Sequence, residues 1–180
     1  MIRSTMILFS ALALGVIGIA DSLSAQSHDL SDPEIAHIAV TANALDVEAA
    51  RLALDRSDDA AVRDFARTMI RDHEGVIEQA KALAGRLGVT PRDNATSRSL
   101  SSGAEKTRRE LSSLDGADFD RAYMQNEVEY HETVIAAIEQ TLIPSTENGE
   151  LRGLLEAVLP ALEAHLEHAR SVLRQQESSR

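Results

Sequence analysis

Apolar residues recur at alternating spacings of four and three over four long stretches, and each stretch reads as one face of an α-helix. The first carries Ile35, Ile38, Ala42, Leu45, Ala49 and Leu52. The second carries Val62, Phe65, Met69, Val76, Ala80, Leu83 and Leu87. Tyr123, Val134, Ile138 and Leu142 mark the third, and Leu151, Leu155, Val158, Leu162, Ala169 and Val172 the fourth. In three of these stripes a histidine stands where another apolar residue is expected: His73, His131 and His165. Glu127 falls on the same face as His131, one turn earlier. Why imidazoles occupy core register is the question on which function turns.

Helix boundaries follow from local chemistry. Asp32 is predicted to cap the first helix, with Pro33 at its first position and Glu34 near the positive end of the dipole. That helix should end near Arg56, where Ser57-Asp58-Asp59 opens the second. Gly88 closes the second, with Pro91 three residues on. Residues 89–103 are polar and Ser-rich and read as a mobile loop, followed by a short helix over about 104–114. The third helix is expected over about 118–143, ended by Pro144. The fourth begins near Asn148. Pro160 inside it must forgo the hydrogen bond to the Glu156 carbonyl and should bend the helix. The polar tail from Gln175 should fray. These elements predict an all-α fold, a four-helix bundle with a long connection between the second and third helices.

Composition fits that architecture. The 180-residue chain is 43% hydrophobic but only 3% aromatic, so its core is built from Ala, Leu, Ile and Val. A net charge of −11, from 29 acidic and 18 basic residues, repels phosphate backbones and argues against a nucleic-acid partner. Residues 1–25 read as a cleaved signal peptide: Arg3 supplies the positive end, Met6 to Ala20 the apolar core, and Leu23-Ser24-Ala25 the cleavage site. The apolar run is about fifteen residues, short of a membrane span. The expected layout is a lead over 26–32, the bundle over 33–173 and a tail over 174–180. The mature protein is expected to be periplasmic or otherwise exported, with no stable membrane span. Absence of cysteine excludes disulfides, iron–sulfur clusters and thiol nucleophiles.

Several strings carry a family resemblance. They are Asp64-Phe65-Ala66-Arg67-Thr68-Met69-Ile70-Arg71-Asp72-His73, Asp118-Phe119-Asp120-Arg121-Ala122-Tyr123-Met124 and Leu159-Pro160-Ala161-Leu162-Glu163-Ala164-His165-Leu166, together with Ala42-Asn43, Glu48 and His131. With these the chain resembles domain of unknown function 4142, a bacterial family labelled "predicted outer membrane protein" and grouped with ferritin-like bundles. The resemblance spans about residues 33–173. It implies a secreted, ferritin-like helical domain without an established activity, and it implies Glu48, Asp72, His73, His131 and His165 as recurring polar positions. Nothing in the pattern supports a barrel, which needs many short alternating strands.

A carboxylate-bridged di-iron site would place Glu three residues before each histidine of two helices. Here Ile70, Val128 and Leu162 occupy those positions, so that chemistry is disfavoured. Counting from the turns at about 1.5 Å per residue, Glu127 lies level with His165, and His131 about 6 Å along. Glu48 and His73 differ in height by about 10 Å. Three readings follow. In the first, His73, His131 and His165, supported by Glu127, Glu48 and Asp72, bind a transition metal (iron, copper or zinc) in metal handling or envelope stress protection. In the second, the rings are neutral and hydrogen-bonded to those carboxylates in a metal-free structural or interaction bundle. In the third, the bundle is a metal-dependent oxidase or peroxidase. The second and third are alternatives to the first, and the balance leans away from an enzyme. Met69 and Met124 read as core, His168 as a solvated flank, and His28 and His37 as exposed.

Overall fold

The computed structural model describes residues 30–178, so the expected signal segment and most of the lead lie outside the described residues. Helices α1 (Asp32–Arg56), α2 (Ala60–Leu87), α3 (Ala95–Ser112) and α4 (Gly116–Ala137) are followed by a π-helical turn (Ile138–Leu142), the short α5 (Ile143–Ser145) and α6 (Gly149–Ser178). The described residues contain no strand. Helix α1 packs on α2, α2 on α6, α6 on α4 and α4 back on α1, which closes a ring of four; α3 lies over the α1–α4 seam. The fold is an all-α helical bundle, as the periodicity predicts.

The start of α1 differs from expectation in its cap. Ser31, not Asp32, is the N-cap, in a capping box with Glu34. Asp32 instead accepts the backbone N–H groups of Glu147 and Asn148 at 3.0 and 2.9 Å, joining the start of α1 to the start of α6. Asp59 caps α2 by accepting the Val62 N–H. Gly88, at φ +64°, closes it in the left-handed region that a side chain would disfavour.

The expected loop over 89–103 is largely helical. Asn94 accepts the Ser97 N–H at 2.9 Å and starts α3 nine residues earlier than predicted. Ser97 is buried, and its hydroxyl bonds the His37 ring at 2.8 Å, so His37 is partly covered rather than exposed. Tertiary contact with α1 thus holds a Ser-rich segment whose own helix propensity is modest.

Pro144 does not end the third helix. It lacks an N–H, and its ring would press on the carbonyl of Gln140; the preceding turn widens to π form, and helix resumes through Ser145. Helix α6 runs unbroken through Pro160, which is exposed, and its last turn extends into the segment predicted to fray. Among the described residues no helix is long and apolar enough to cross a membrane.

The core divides in two. One cluster gathers Phe65, Met69, Phe119, Tyr123, Met124, Ala169 and Val172 near the α1–α2 turn. The other gathers Ile35, Ile38, Leu83, Ile138, Leu142, Leu151, Leu155 and Leu162 at the opposite end. Between them lies a polar layer.

Candidate metal centre

Each of the four ring helices gives that layer buried polar side chains or neighbours to them. Helix α1 gives Asp46, α2 gives His73, α4 gives Glu127 and His131, and α6 gives His165; all five are buried. The ring centroids of His73, His131 and His165 stand 5.3–5.7 Å apart. One nitrogen from each of the three rings lies within 4.8 Å of the other two.

Hydrogen bonds fix which nitrogen of each ring keeps its lone pair. Asn43 donates its amide to the Ala39 carbonyl at 2.8 Å, which turns its Oδ1 toward His73 Nδ1, 2.7 Å away. His73 Nδ1 must therefore carry the proton, and Nε2 keeps its lone pair. His131 Nδ1 donates to the Glu127 carbonyl at 2.9 Å, which again leaves Nε2 as the lone pair. His165 is turned the other way. Its Nε2 donates to Asp72 Oδ2 at 3.0 Å, and Arg71 holds that carboxylate by two further bonds, so Nδ1 is the lone pair. His73 Nε2, His131 Nε2 and His165 Nδ1 are buried atoms without a hydrogen-bond partner in the protein. The tautomers thus leave one unshared lone pair on each of three neighbouring buried rings.

Asp46 adds negative charge there. Its Oδ2 lies 3.3 Å from His73 Nε2 and 3.8 Å from His131 Nε2, and neither of its oxygens is hydrogen-bonded. Acceptors facing acceptors at that distance repel unless a proton or a cation sits between them. Burial pushes Asp46 up to about 7 and raises Glu127 as well, the second also by the nearby Asp46 charge. Burial lowers His73 to about 3, with His131 and His165 adding repulsion, and lowers His131 to about 4. His165 is lowered too, chiefly by burial. At neutral pH all three rings are neutral, the form that ligates metal. By contrast the hydrogen bond from Arg71 lowers Asp72, which stays ionised and orients His165.

Of the residues singled out from sequence, the structure brings together His73, His131, His165 and Glu127. Asp72 is one-third exposed and acts behind His165. Glu48 is exposed on the outer side of α1, so the carboxylate that α1 contributes is Asp46, two residues earlier. Sequence reasoning missed Asp46, which falls four residues after Ala42 and four before Ala50, both buried. It missed Asn43 as the residue that sets the His73 tautomer. His168 is exposed and lies edge-on to Phe65, outside the layer.

The layer offers two sets of donors that could hold a cation, the three histidine nitrogens and the group of Asp46, Glu127 and His131. Such donors suit copper(II), zinc or iron(II) and offer no thiolate. Among solved structures, one described as "CopM in the Cu(II)-bound form" is similar in fold, with a TM-score of 0.60 at 17% identity over 81% of this chain and 98% of that one. No curated protein matches the sequence. The family model described as "Domain of unknown function (DUF4142)" matches residues 20–172, and the chain belongs to that family.

Proposed function

We propose that this chain is an exported copper-binding bundle in which His73, His131, His165 and Asp46 hold one copper(II) ion for metal handling in the cell envelope. The observation that carries this reading is the convergence of three buried ring nitrogens, each left as a lone pair by a hydrogen bond on the opposite side of its ring. A purely structural network would place donors against those acceptors. A cation held by the three rings would also neutralise Asp46 Oδ2, which stands beside His73 and His131. Copper(II) heads the divalent first-row series for nitrogen-rich sites, and the similar fold of CopM is known with Cu(II) bound. All three rings are at most 8% exposed at the side chain, which favours holding an ion over turning over a bulky substrate.

The test is metal titration of the metal-free protein, followed by calorimetry and by electron paramagnetic resonance of the copper. One copper(II) per chain is expected, with nitrogen hyperfine structure. His131→Ala should weaken binding by at least about a hundredfold, since it removes a ligand outright where loss of an outer partner alone costs 10–100-fold. Equal affinity in wild type and His131→Ala would reject the reading and leave a metal-free His–carboxylate bundle.

A further inference from the structure

Beside the histidine site lies a second set of donors. One atom each from Asp46, Glu127 and His131 lie within 4.8 Å of one another. Glu127 is 1% exposed, its Oε2 has no hydrogen-bond partner, and it lies 3.7 Å from His131 Nδ1, which is committed to the Glu127 carbonyl. Asp46 turns Oδ2 toward the histidines, and its Oδ1 is equally buried and unpartnered. One ion at the three nitrogens therefore leaves Asp46 Oδ1 and Glu127 Oε2 still without a counterpart.

The surroundings differ from those of the histidines. A cleft of about 760 Å³ runs between α1, α3 and α4, and both Asp46 and Glu127 line it. None of the three ligating histidines does. Both signs of charge stand on its walls: Glu48, Glu105, Glu110 and Glu129 with Lys106 and Arg108. The unpartnered oxygens themselves are buried, so an ion held by these two carboxylates sits just behind the cleft wall. A pair of carboxylate oxygens without hydrogen-bond partners is the donor set that an oxygen-preferring divalent cation takes.

We infer that Asp46 and Glu127 form a second cation position, just behind the wall of the α1–α3–α4 cleft, for a hard divalent ion of the manganese(II) class, with Asp46 bridging to the histidine site. The two positions differ in donor chemistry: nitrogen-rich at His73, His131 and His165, oxygen-rich at Asp46 and Glu127. The inference builds on the proposed histidine site but is separable from it, because Glu127 belongs to the second position and His165 to the first.

The experiment loads metal-free protein with one equivalent of copper(II), titrates manganese(II), and reads both metals by mass spectrometry and paramagnetic resonance. One manganese per chain is expected, with broadening of the copper signal by the nearby spin. E127Q should lower manganese affinity at least about tenfold and leave copper stoichiometry at one. The isosteric amide keeps the shape of the buried side chain, and circular dichroism checks that E127Q is folded. His165→Ala should do the converse, weakening copper and sparing manganese. Copper binding without manganese, or manganese bound equally by E127Q, overturns the second position. Manganese binding that depends on Glu127 in a protein that takes no copper overturns the histidine reading and supports this one.

Discussion

Around Phe65, Met69, Tyr123 and Ala169 the four ring helices meet in an almost wholly apolar layer. One turn along each helix, at Asp46, His73, Glu127 and His165, they meet in a polar one. The same helices form both layers, and the side chains of both are buried. The first layer leaves a single polar atom among these side chains without a partner, the Tyr123 hydroxyl, and is otherwise held by dispersion and exclusion of water, which need no partner of particular chemistry. The second buries six nitrogen and oxygen atoms that the protein does not satisfy: both Asp46 oxygens, His73 Nε2, Glu127 Oε2, His131 Nε2 and His165 Nδ1. The bundle therefore obtains its stability from the apolar layers at either end and gives up some of it in the middle, where a cation would restore the balance.

The comparison breaks most visibly at Phe65. This ring is fully buried and packs edge-on to Tyr123 at 6.2 Å. Phe65→Ala should cost about 3–5 kcal/mol in urea denaturation, by lost transfer energy and the cavity left behind. Copper stoichiometry, measured where the variant remains folded, should stay unchanged. A variant that loses copper binding while folded would mean that the two layers are not independent.

At Asp46 the sign reverses. In the unfolded chain this carboxyl titrates near its ordinary value of 3.8, and burial in the folded, metal-free state raises it to about 7. Between those values the folded protein keeps a proton that the unfolded chain has released, so stability falls as pH rises from about 4 to 7 and is flat beyond. Asp46→Asn removes this cost. Metal-free D46N should be more stable than wild type at pH 8, by about 1–3 kcal/mol, and the difference should vanish by about pH 4. Excess copper should invert the order. An ion at a hundred times its dissociation constant adds about 2.7 kcal/mol to a protein that binds it, and D46N binds it weakly. Should metal-free D46N melt below wild type at pH 8, the polar layer would not be the liability described here.

The two layers were not equally legible in the sequence. Histidines on strongly apolar helices stand out, because Phe65, Met69 and Leu83 fix the phase of α2 and place His73 inside with no freedom. Helix α1 is rich in alanine, and apolar residues surround its axis. Leu45, Ala49 and Leu52 suggest one face, whereas the buried residues Ala42, Asp46, Ala50 and Ala53 form another. Periodicity cannot choose between phases when small residues occupy both, and an aspartate on the inner face is discarded by any reading that seeks hydrophobic positions. Glu48, taken from the family resemblance, lies on the outer side of α1, in the wall of the cleft. Helix α3 was hidden for another reason. Its serines carry little helical preference, and what fixes it is distant in sequence: Asn94 donates to the Glu34 carbonyl, and Ser97 meets His37. Such contacts exist only once α1 is in place.

The smallest predicted effect concerns another carboxylate, far from either core layer. Glu34 accepts from the Ser31 hydroxyl at 2.7 Å and the Ser31 backbone N–H at 3.0 Å, and Arg92 lies 3.2 Å away. The Ser31 hydroxyl first, then its N–H, hold the carboxyl down to about 2 from 4.5. Here the folded state prefers the charged form, so the contribution is present above about pH 4.5 and is lost as pH falls toward 2. E34Q should melt slightly below wild type at pH 7, the gap should close in thermal melts as pH approaches 2, and copper affinity should not change. Both E34Q and D46N differ more from wild type at high pH than at low, but in opposite directions. The sign is set by whether the carboxylate's oxygens meet donors. Glu34 meets a hydroxyl, an amide and a guanidinium; Asp46 meets only lone pairs. A gap between E34Q and wild type that persists unchanged at low pH would show that the cap works through shape rather than charge, and would remove the contrast with Asp46.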